Sequence, residues 1–110
     1  MTRDEFWIIH DGKTICGISS KAAALFKAEP DDLIGLDIFE IIPLGDMREL
    51  ARLRMQHIME RGDLHDQELP LSARDGSIFW VRVQTQRANA DTFISYLEYI
   101  GPHNPHYNGT

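Results

Sequence analysis

Apolar and polar residues alternate along two runs on either side of Asp75-Gly76, and this pattern predicts an antiparallel hairpin over residues 67–74 and 77–87. An Asp-Gly pair supplies the positive φ angles that tight hairpin turns require. Strand side chains alternate between two faces, so we expect one face of this hairpin to be buried and the other, except for Trp80, to be hydrated. The apolar face carries Leu69, Leu71, Ala73, Phe79, Val81 and Val83.

A second hairpin of the same kind is predicted at residues 5–10 and 13–18, around Asp11-Gly12. A last strand is predicted over residues 92–100, and large apolar groups lie on both of its faces. This pattern is typical of a central strand that is covered on both sides, or of a strand whose outer face meets a partner. Because both faces are apolar, the pattern leaves open the face on which Glu98 lies.

Helix signals fill the region between the hairpins. Ser19 or Ser20 caps a first helix that ends at Leu25-Phe26, and Pro30 begins a one-turn helix that Gly35 ends. A third short segment follows at residues 38–42, with Asp37 as its cap, and Pro43 prevents it from continuing.

One longer helix is predicted from about residue 47 to residue 61. Asp46 with Glu49 three residues on resembles a capping box, and Gly62 stops the helix. Its apolar side chains recur at helical spacing, which favours packing against the sheet. The stripe consists of Met47, Leu50, Ala51, Leu53 and Ile58, with Arg54 near it.

Four segments in this order, over residues 5–101, resemble the PAS domain family. The four segments are Ser20–Phe26, Asp32–Gly35, Asp37–Pro43 and Arg74–Val81. In the same order, they are similar to the family's patterns N-x-A-A-x-x-L-F-G, E-L-I-G, L-x-D-I-I-P and K-D-G-S-x-x-W-V. Two departures stand out: Lys27-Ala28 replaces a glycine, and Gly101-Pro102 stands where the family often has Asp-Ile-Thr before a coiled coil.

The resemblance implies an α+β fold, in which short helices and one longer helix pack on the inner face of a five-stranded antiparallel sheet. It implies a domain that ends at residue 101, which we assign to residues 1–101. Residues 102–110 contain prolines, asparagines and a glycine without periodicity, which predicts a flexible tail or linker. The resemblance also implies a sensory input module of a bacterial histidine kinase, cyclic-dinucleotide enzyme or transcription regulator, with a ligand-free dimerisation module as the alternative. The sequence contains no catalytic motif, so we expect no enzyme activity from the domain itself.

Composition narrows the possible partners. A formal net charge of −6 disfavours nucleic-acid binding, because such a chain repels phosphate backbones. The single cysteine, Cys16, excludes an internal disulfide. No apolar run approaches the roughly 20 residues of a membrane span, and we expect a cytoplasmic protein with no membrane insertion.

Cofactor binding is disfavoured at the three places where the sequence could support it. The flavin adduct of photosensing relatives needs a cysteine that opens a helix, whereas Cys16 is in a predicted strand. His57, the candidate haem ligand, comes late in the long helix, where an ordinary surface histidine is favourable. His103 and His106 lack further metal ligands, so we predict no metal site.

An inner pocket between the helices and the sheet is the candidate ligand site. Arg54 is on the side of Leu50 and Ile58, so it either pairs there with a carboxylate ligand or turns away to Glu49, Glu60 or the sheet edge. The apolar lining suits a small apolar ligand or a closed core without one. The predicted lining residues are Leu25, Phe26, Leu33, Ile38, Ile42, Met47, Leu50, Arg54, Ile58, Leu71, Phe79, Val81 and Val83.

An outer apolar patch is the candidate interaction surface, and we predict that it forms a homodimer. Phe6, Trp7 and Ile8 precede the first turn, and Trp80 is on the otherwise hydrated face of its strand. The alternative is that Phe6 or Trp7 covers Trp80 within one chain.

Overall fold

Five antiparallel strands and four helices make up the part of the chain that the computed structural model describes, residues 5–43 and 45–104. None of the helices in these ranges is long and apolar enough to cross a bilayer. The elements in chain order are β1 (Trp7–His10), β2 (Ile15–Ile18), α1 (Ser20–Leu25), α2 (Pro30–Leu33), a 3-10 helix (Ile38–Ile41), α3 (Asp46–Arg61), β3 (Asp63–Ser72), β4 (Ile78–Arg87) and β5 (Phe93–Gly101).

The sheet has the strand order β2-β1-β5-β4-β3, which places the last strand beside the first at its centre. In the β1–β5 pair Trp7 lies opposite Tyr96, and in the β4–β5 pair Val83 lies opposite Leu97. β5 therefore lies at the centre of the sheet, with a hydrogen-bonded neighbour on each side. The α+β fold with a five-stranded antiparallel sheet is confirmed.

The register of β3 and β4 confirms the predicted buried face. Leu69 lies opposite Val81 and Leu71 opposite Phe79, so their side chains share the inner face. β3 begins at Asp63, four residues before the predicted start at residue 67. A register irregularity between Leu64 and Gln67 lets the ladder continue past the end of the apolar alternation.

The turn between β3 and β4 differs from the predicted two-residue turn. Gly76 alone of the Asp-Gly pair has a positive φ, +89°, and its N–H donates to the carbonyl of Ala73 at 3.0 Å. Asp75 contributes through its carboxylate, which accepts from the backbone N–H of Ser77 at 2.9 Å and from Lys27 Nζ at 2.8 Å. These bonds hold the pKa of Asp75 far below its usual value.

The short helices begin at the predicted caps. The Ser19 hydroxyl accepts from the Ala22 N–H at 3.2 Å, and the Asp37 carboxylate accepts from the Phe39 N–H at 2.9 Å. The predicted capping box of α3 is wrong. Gly45 is the N-cap and Asp46 already belongs to the helix, where its charge still favours the positive end of the dipole.

The solid part of the core contains Phe26, which follows α1, Leu33 of α2, and Phe79 and Val81 of β4. Phe26 packs edge-to-face on Phe79 with ring centroids 5.1 Å apart, and Leu33 and Val81 are fully buried around the pair.

Val81→Arg should abolish cooperative folding, because Val81 is 0% exposed on a central strand and a buried, unpaired guanidinium costs more than a small domain can supply. Thermal denaturation followed by circular dichroism measures this. Gln84→Arg, on the opposite face of the same strand, is the control and should melt cooperatively. A cooperative transition in Val81→Arg would contradict the inward placement.

Candidate ligand-binding cavity

A cavity of about 80 Å³ lies between α3, the 3-10 helix and the inner face of the sheet. Most of its wall is apolar, and polar side chains enter it from β1, β3, β4, β5 and α3. Its lining consists of Ile8, His10, Ile38, Phe39, Ile41, Ile42, Ala51, Arg54, Met55, Ile58, Leu64, Gln67, Leu69, Leu71, Val83, Thr85, Ser95 and Leu97.

The structure divides the thirteen residues predicted for the pocket into three groups. Those that line the cavity are Ile38, Ile42, Arg54, Ile58, Leu71 and Val83. Those that lie in the solid core are Phe26, Leu33, Phe79 and Val81. Those that are half-buried outside the cavity are Leu25, Met47 and Leu50. The buried stripe of α3 runs through Ala51 and Ile58, so Leu53, a further member of the predicted stripe, is 64% exposed.

The cavity contains a row of polar side chains that the sequence-based prediction missed. His10, Ser95 and Thr85 are all buried, and they come from the adjacent strands β1, β5 and β4. The signal for them was strand alternation, because each lies two residues from an inward-facing apolar residue: Ile8, Leu97 and Val83 respectively.

Hydrogen bonds connect this row, which we call the polar row (His10, Ser95 and Thr85). His10 Nε2 lies 3.1 Å from Ser95 Oγ, and Ser95 Oγ lies 2.7 Å from Thr85 Oγ1. The other ring nitrogen, His10 Nδ1, accepts from the backbone N–H of Gly12 at 3.2 Å. A nitrogen that accepts carries no proton, so the neutral ring is protonated at Nε2 and donates to Ser95.

The surroundings of His10 keep the ring neutral. The residue is 2% exposed, and its ring stacks on Phe93 with centroids 5.9 Å apart and 25° between the planes. Burial lowers the pKa of His10 from 6.5 to about 4, against a smaller opposite effect of the Asp11 charge. At neutral pH the polar row therefore offers hydrogen bonds without a net charge.

Among the described residues that line the cavity, Arg54 alone carries a guanidinium. Its Nη1 donates to the backbone carbonyl of Glu68 at 3.3 Å. Among the residues that the structure describes it forms no ion pair, and Glu49, one of its two predicted partners, lies 3.9 Å from Arg52. Arg54 thus reaches the cavity, and its remaining N–H groups are available to an anionic group there.

The side chains considered for cofactors lie away from the cavity. Cys16 is exposed on β2, and His57 is on the exposed side of α3, so neither supports flavin or haem binding in this cavity. Within residues 5–43 and 45–104, no group of three or more His, Cys, Asp or Glu side chains could hold a metal ion. His103 is exposed, and His106 lies outside the described residues.

The predicted outer patch is divided between the two faces of the sheet. Trp7 and Trp80 lie half-buried on the outer face. Ile8 follows Trp7, so alternation turns it inward, where it is 2% exposed and lines the cavity. Phe6 packs against the core. Assigning Phe6 and Ile8 to an outer patch was therefore wrong.

An ion-pair network lies on the outer face of the sheet, and Asn104, the last described residue, contacts it. Arg82 Nη2 lies 2.9 Å from Glu68 Oε2, and Arg82 Nη1 lies 3.0 Å from Glu98 Oε1, so Glu98 faces outward. Asn104 is buried and donates from Nδ2 to Glu68 Oε1 at 3.0 Å. The predicted flexible tail thus begins with residues that pack on the domain; residues 105–110 lie outside the described part.

The comparisons with known proteins agree with this architecture. A family model described as PAS domain matches residues 3–98. The chain belongs to the PAS domain family. PAS domains are sensory input modules of signalling proteins, and this chain shares that class of function. No curated protein sequence matches the chain.

Three solved PAS domains show the similarity of fold. One belongs to a LuxR-family transcriptional regulator of Burkholderia thailandensis, with 17% identity, 86% of this chain and 88% of that chain covered, and a TM-score of 0.69. The HTR-like protein of Haloarcula marismortui has 23% identity, 86% and 80% coverage, and a TM-score of 0.67. A protein of Colwellia psychrerythraea has 14% identity, 89% and 87% coverage, and a TM-score of 0.74.

The buried His10 should make this PAS domain less stable in mild acid. The pKa of His10 is about 4 in the folded state, whereas the ordinary value of 6.5 applies in the unfolded chain. Between pH 4 and pH 6.5 the unfolded chain therefore binds a proton that the folded chain does not. Stability should fall as the pH drops through this window, by about 2 kcal/mol from pH 7.5 to pH 5. Urea denaturation at both pH values measures this.

The control for the acid effect is His10→Gln, which keeps an amide N–H for Ser95 and does not titrate. Between pH 7.5 and pH 5, the free energy of unfolding should fall less in this variant than in the unsubstituted chain, by the amount that protonation of His10 contributes. An equal loss in both proteins would show that His10 does not cause the pH dependence.

Proposed function

We propose that this PAS domain detects a small organic molecule that binds in the cavity between α3 and the sheet. The observation that carries the proposal is a hydrogen-bonded polar row in a cavity that is otherwise mostly apolar. Such a combination of apolar wall and few polar groups is typical of small-molecule sites. A volume of about 80 Å³ has room for roughly five or six non-hydrogen atoms.

Two kinds of polar group in the cavity lining, the polar row and Arg54, suggest two ligand classes. An uncharged molecule would place its apolar body against Leu97 and Ile58 and its polar atom at the polar row. A carboxylate-bearing molecule would instead place its charge beside Arg54. The similar PAS domain from Burkholderia thailandensis was solved in complex with ethanol, and this supports a ligand of a few atoms in a related fold.

We place the domain in the cytoplasm, as the input part of a histidine kinase, a cyclic-dinucleotide enzyme or a transcription regulator. Catalysis then belongs to the effector domain and not to this domain. Support comes from the family's sensory role, and from the similar PAS domain of a LuxR-family transcriptional regulator.

Ala51→Phe should abolish ligand binding, because Ala51 is buried in the cavity wall and a phenyl ring there would fill the space. The probes are 2-butanone, 2-butanol and butanoate, titrated into the ¹⁵N-labelled protein and followed by amide chemical shifts. An absorption spectrum and native mass spectrometry of the purified protein first detect any molecule that is already bound.

The control is Leu53→Phe, which adds an aromatic ring on the exposed side of the same helix. At least one probe should shift the cavity amides of the unsubstituted chain and of Leu53→Phe, and none should shift those of Ala51→Phe. If no probe binds to the unsubstituted chain and no bound molecule is found, the ligand-sensing proposal fails.

A second candidate function is homodimerisation through the outer face of the sheet. PAS domains commonly dimerise or connect to effector domains. Trp7 lies opposite Tyr96 on this face, and Ile9, Ile94 and Trp80 are also half-buried on it. The helices pack on the inner face, and a second copy that packs on the outer face would contact these aromatic and branched side chains.

Trp80→Glu should reduce the dimer to a monomer without unfolding, because a carboxylate would be buried against apolar groups at the interface. Light scattering gives the mass, and circular dichroism checks the fold. Gln86→Glu, near the exposed end of the same strand, is the control with an equal charge change. A mass that is the same for the unsubstituted chain and Trp80→Glu counts against this interface.

A further inference from the structure

The polar row leaves one hydroxyl proton without an acceptor. Gly12 donates to His10 Nδ1, so Nε2 carries the ring proton and donates it to Ser95 Oγ. Ser95 and Thr85 share a single contact of 2.7 Å, and only one of their two hydroxyl protons can occupy it.

Either direction of the hydrogen bond between Ser95 and Thr85 leaves one hydroxyl proton without an acceptor. If Ser95 donates to Thr85, the Thr85 proton remains; if Thr85 donates to Ser95, the Ser95 proton remains. Neither hydroxyl has another hydrogen-bond partner among the residues that the structure describes, and both side chains line the cavity. The floor of the cavity therefore offers one donor to whatever occupies it.

From this count we infer that the ligand carries an acceptor oxygen (carbonyl, ether or alcohol) at the polar row. This inference rests on the proposed ligand-binding function and gives the ligand its chemical class. A pure hydrocarbon would leave the remaining hydroxyl proton buried and unsatisfied, which is unfavourable. A carboxylate bound at the polar row would lose its hydration shell and gain only one hydrogen-bond donor beside a neutral imidazole. An uncharged molecule therefore fits the polar row better.

A pair of isosteric probes tests the inference. 2-Butanone and 2-methyl-1-butene have the same shape and differ in one atom, a carbonyl oxygen in place of a methylene carbon. We expect the 110-residue chain to bind the ketone about tenfold more tightly, because only the ketone accepts the remaining proton. Amide chemical shifts in sealed NMR tubes give both dissociation constants.

Two variants locate the donor. In Thr85→Val the Ser95 proton loses its acceptor and becomes the free donor, so the preference for the ketone should persist. In the triple variant His10→Phe, Ser95→Ala and Thr85→Val the polar row has no donor left, so the preference should disappear while the alkene still binds. A ketone preference that survives in the triple variant would place the acceptor contact elsewhere and overturn the inference.

The outcomes separate the inference from the proposed function. Equal affinity of the unsubstituted chain for ketone and alkene overturns the acceptor-oxygen inference and leaves ligand binding intact. If neither probe binds, and none of the probes of the previous section binds either, both statements fail. If the triple variant does not fold, the comparison between the unsubstituted chain and Thr85→Val still decides, because loss of the preference in Thr85→Val contradicts the proton count.

Discussion

The helices pack on only one face of the sheet, and this constraint governs the rest of the structure. Every second side chain of the strands then points into the interior, where polar groups are stable only if they are hydrogen-bonded. His10, Ser95 and Thr85 occupy three such positions, and they satisfy the requirement mainly through one another. The backbone of Gly12 completes the row and fixes the protonated nitrogen of the ring.

Side-chain size explains why the interior is solid at one end and open at the other. At the solid end, the large rings of Phe26 and Phe79 pack against each other. In the cavity wall, Ala51 presents a methyl group from α3, and Ser95 and Thr85 present short side chains from the sheet. Small residues facing one another across two layers leave a void that neighbouring side chains do not fill.

Local chemistry made most of the fold predictable, and longer-range packing made part of the site unpredictable. Alternation gave the buried face of β3 and β4, and the caps at Ser19 and Asp37 followed from known preferences. The prediction failed where a polar residue replaced an apolar one on the inner face, as at His10. The division between solid core and cavity depends on facing side chains of distant segments, and no local pattern contains that information.

The central position of β5 has a consequence for synthesis of the protein. His10 and Ser95, which meet in the floor of the cavity, are 85 residues apart in the sequence. Pairing over such distances is slow, and on a ribosome it cannot begin until the last strand has emerged. In a nascent chain the helices and the β3–β4 hairpin can therefore form early, whereas the ligand cavity forms only after β5 has been synthesised. Any stabilisation by a ligand then acts on the finished domain and not on its folding intermediates.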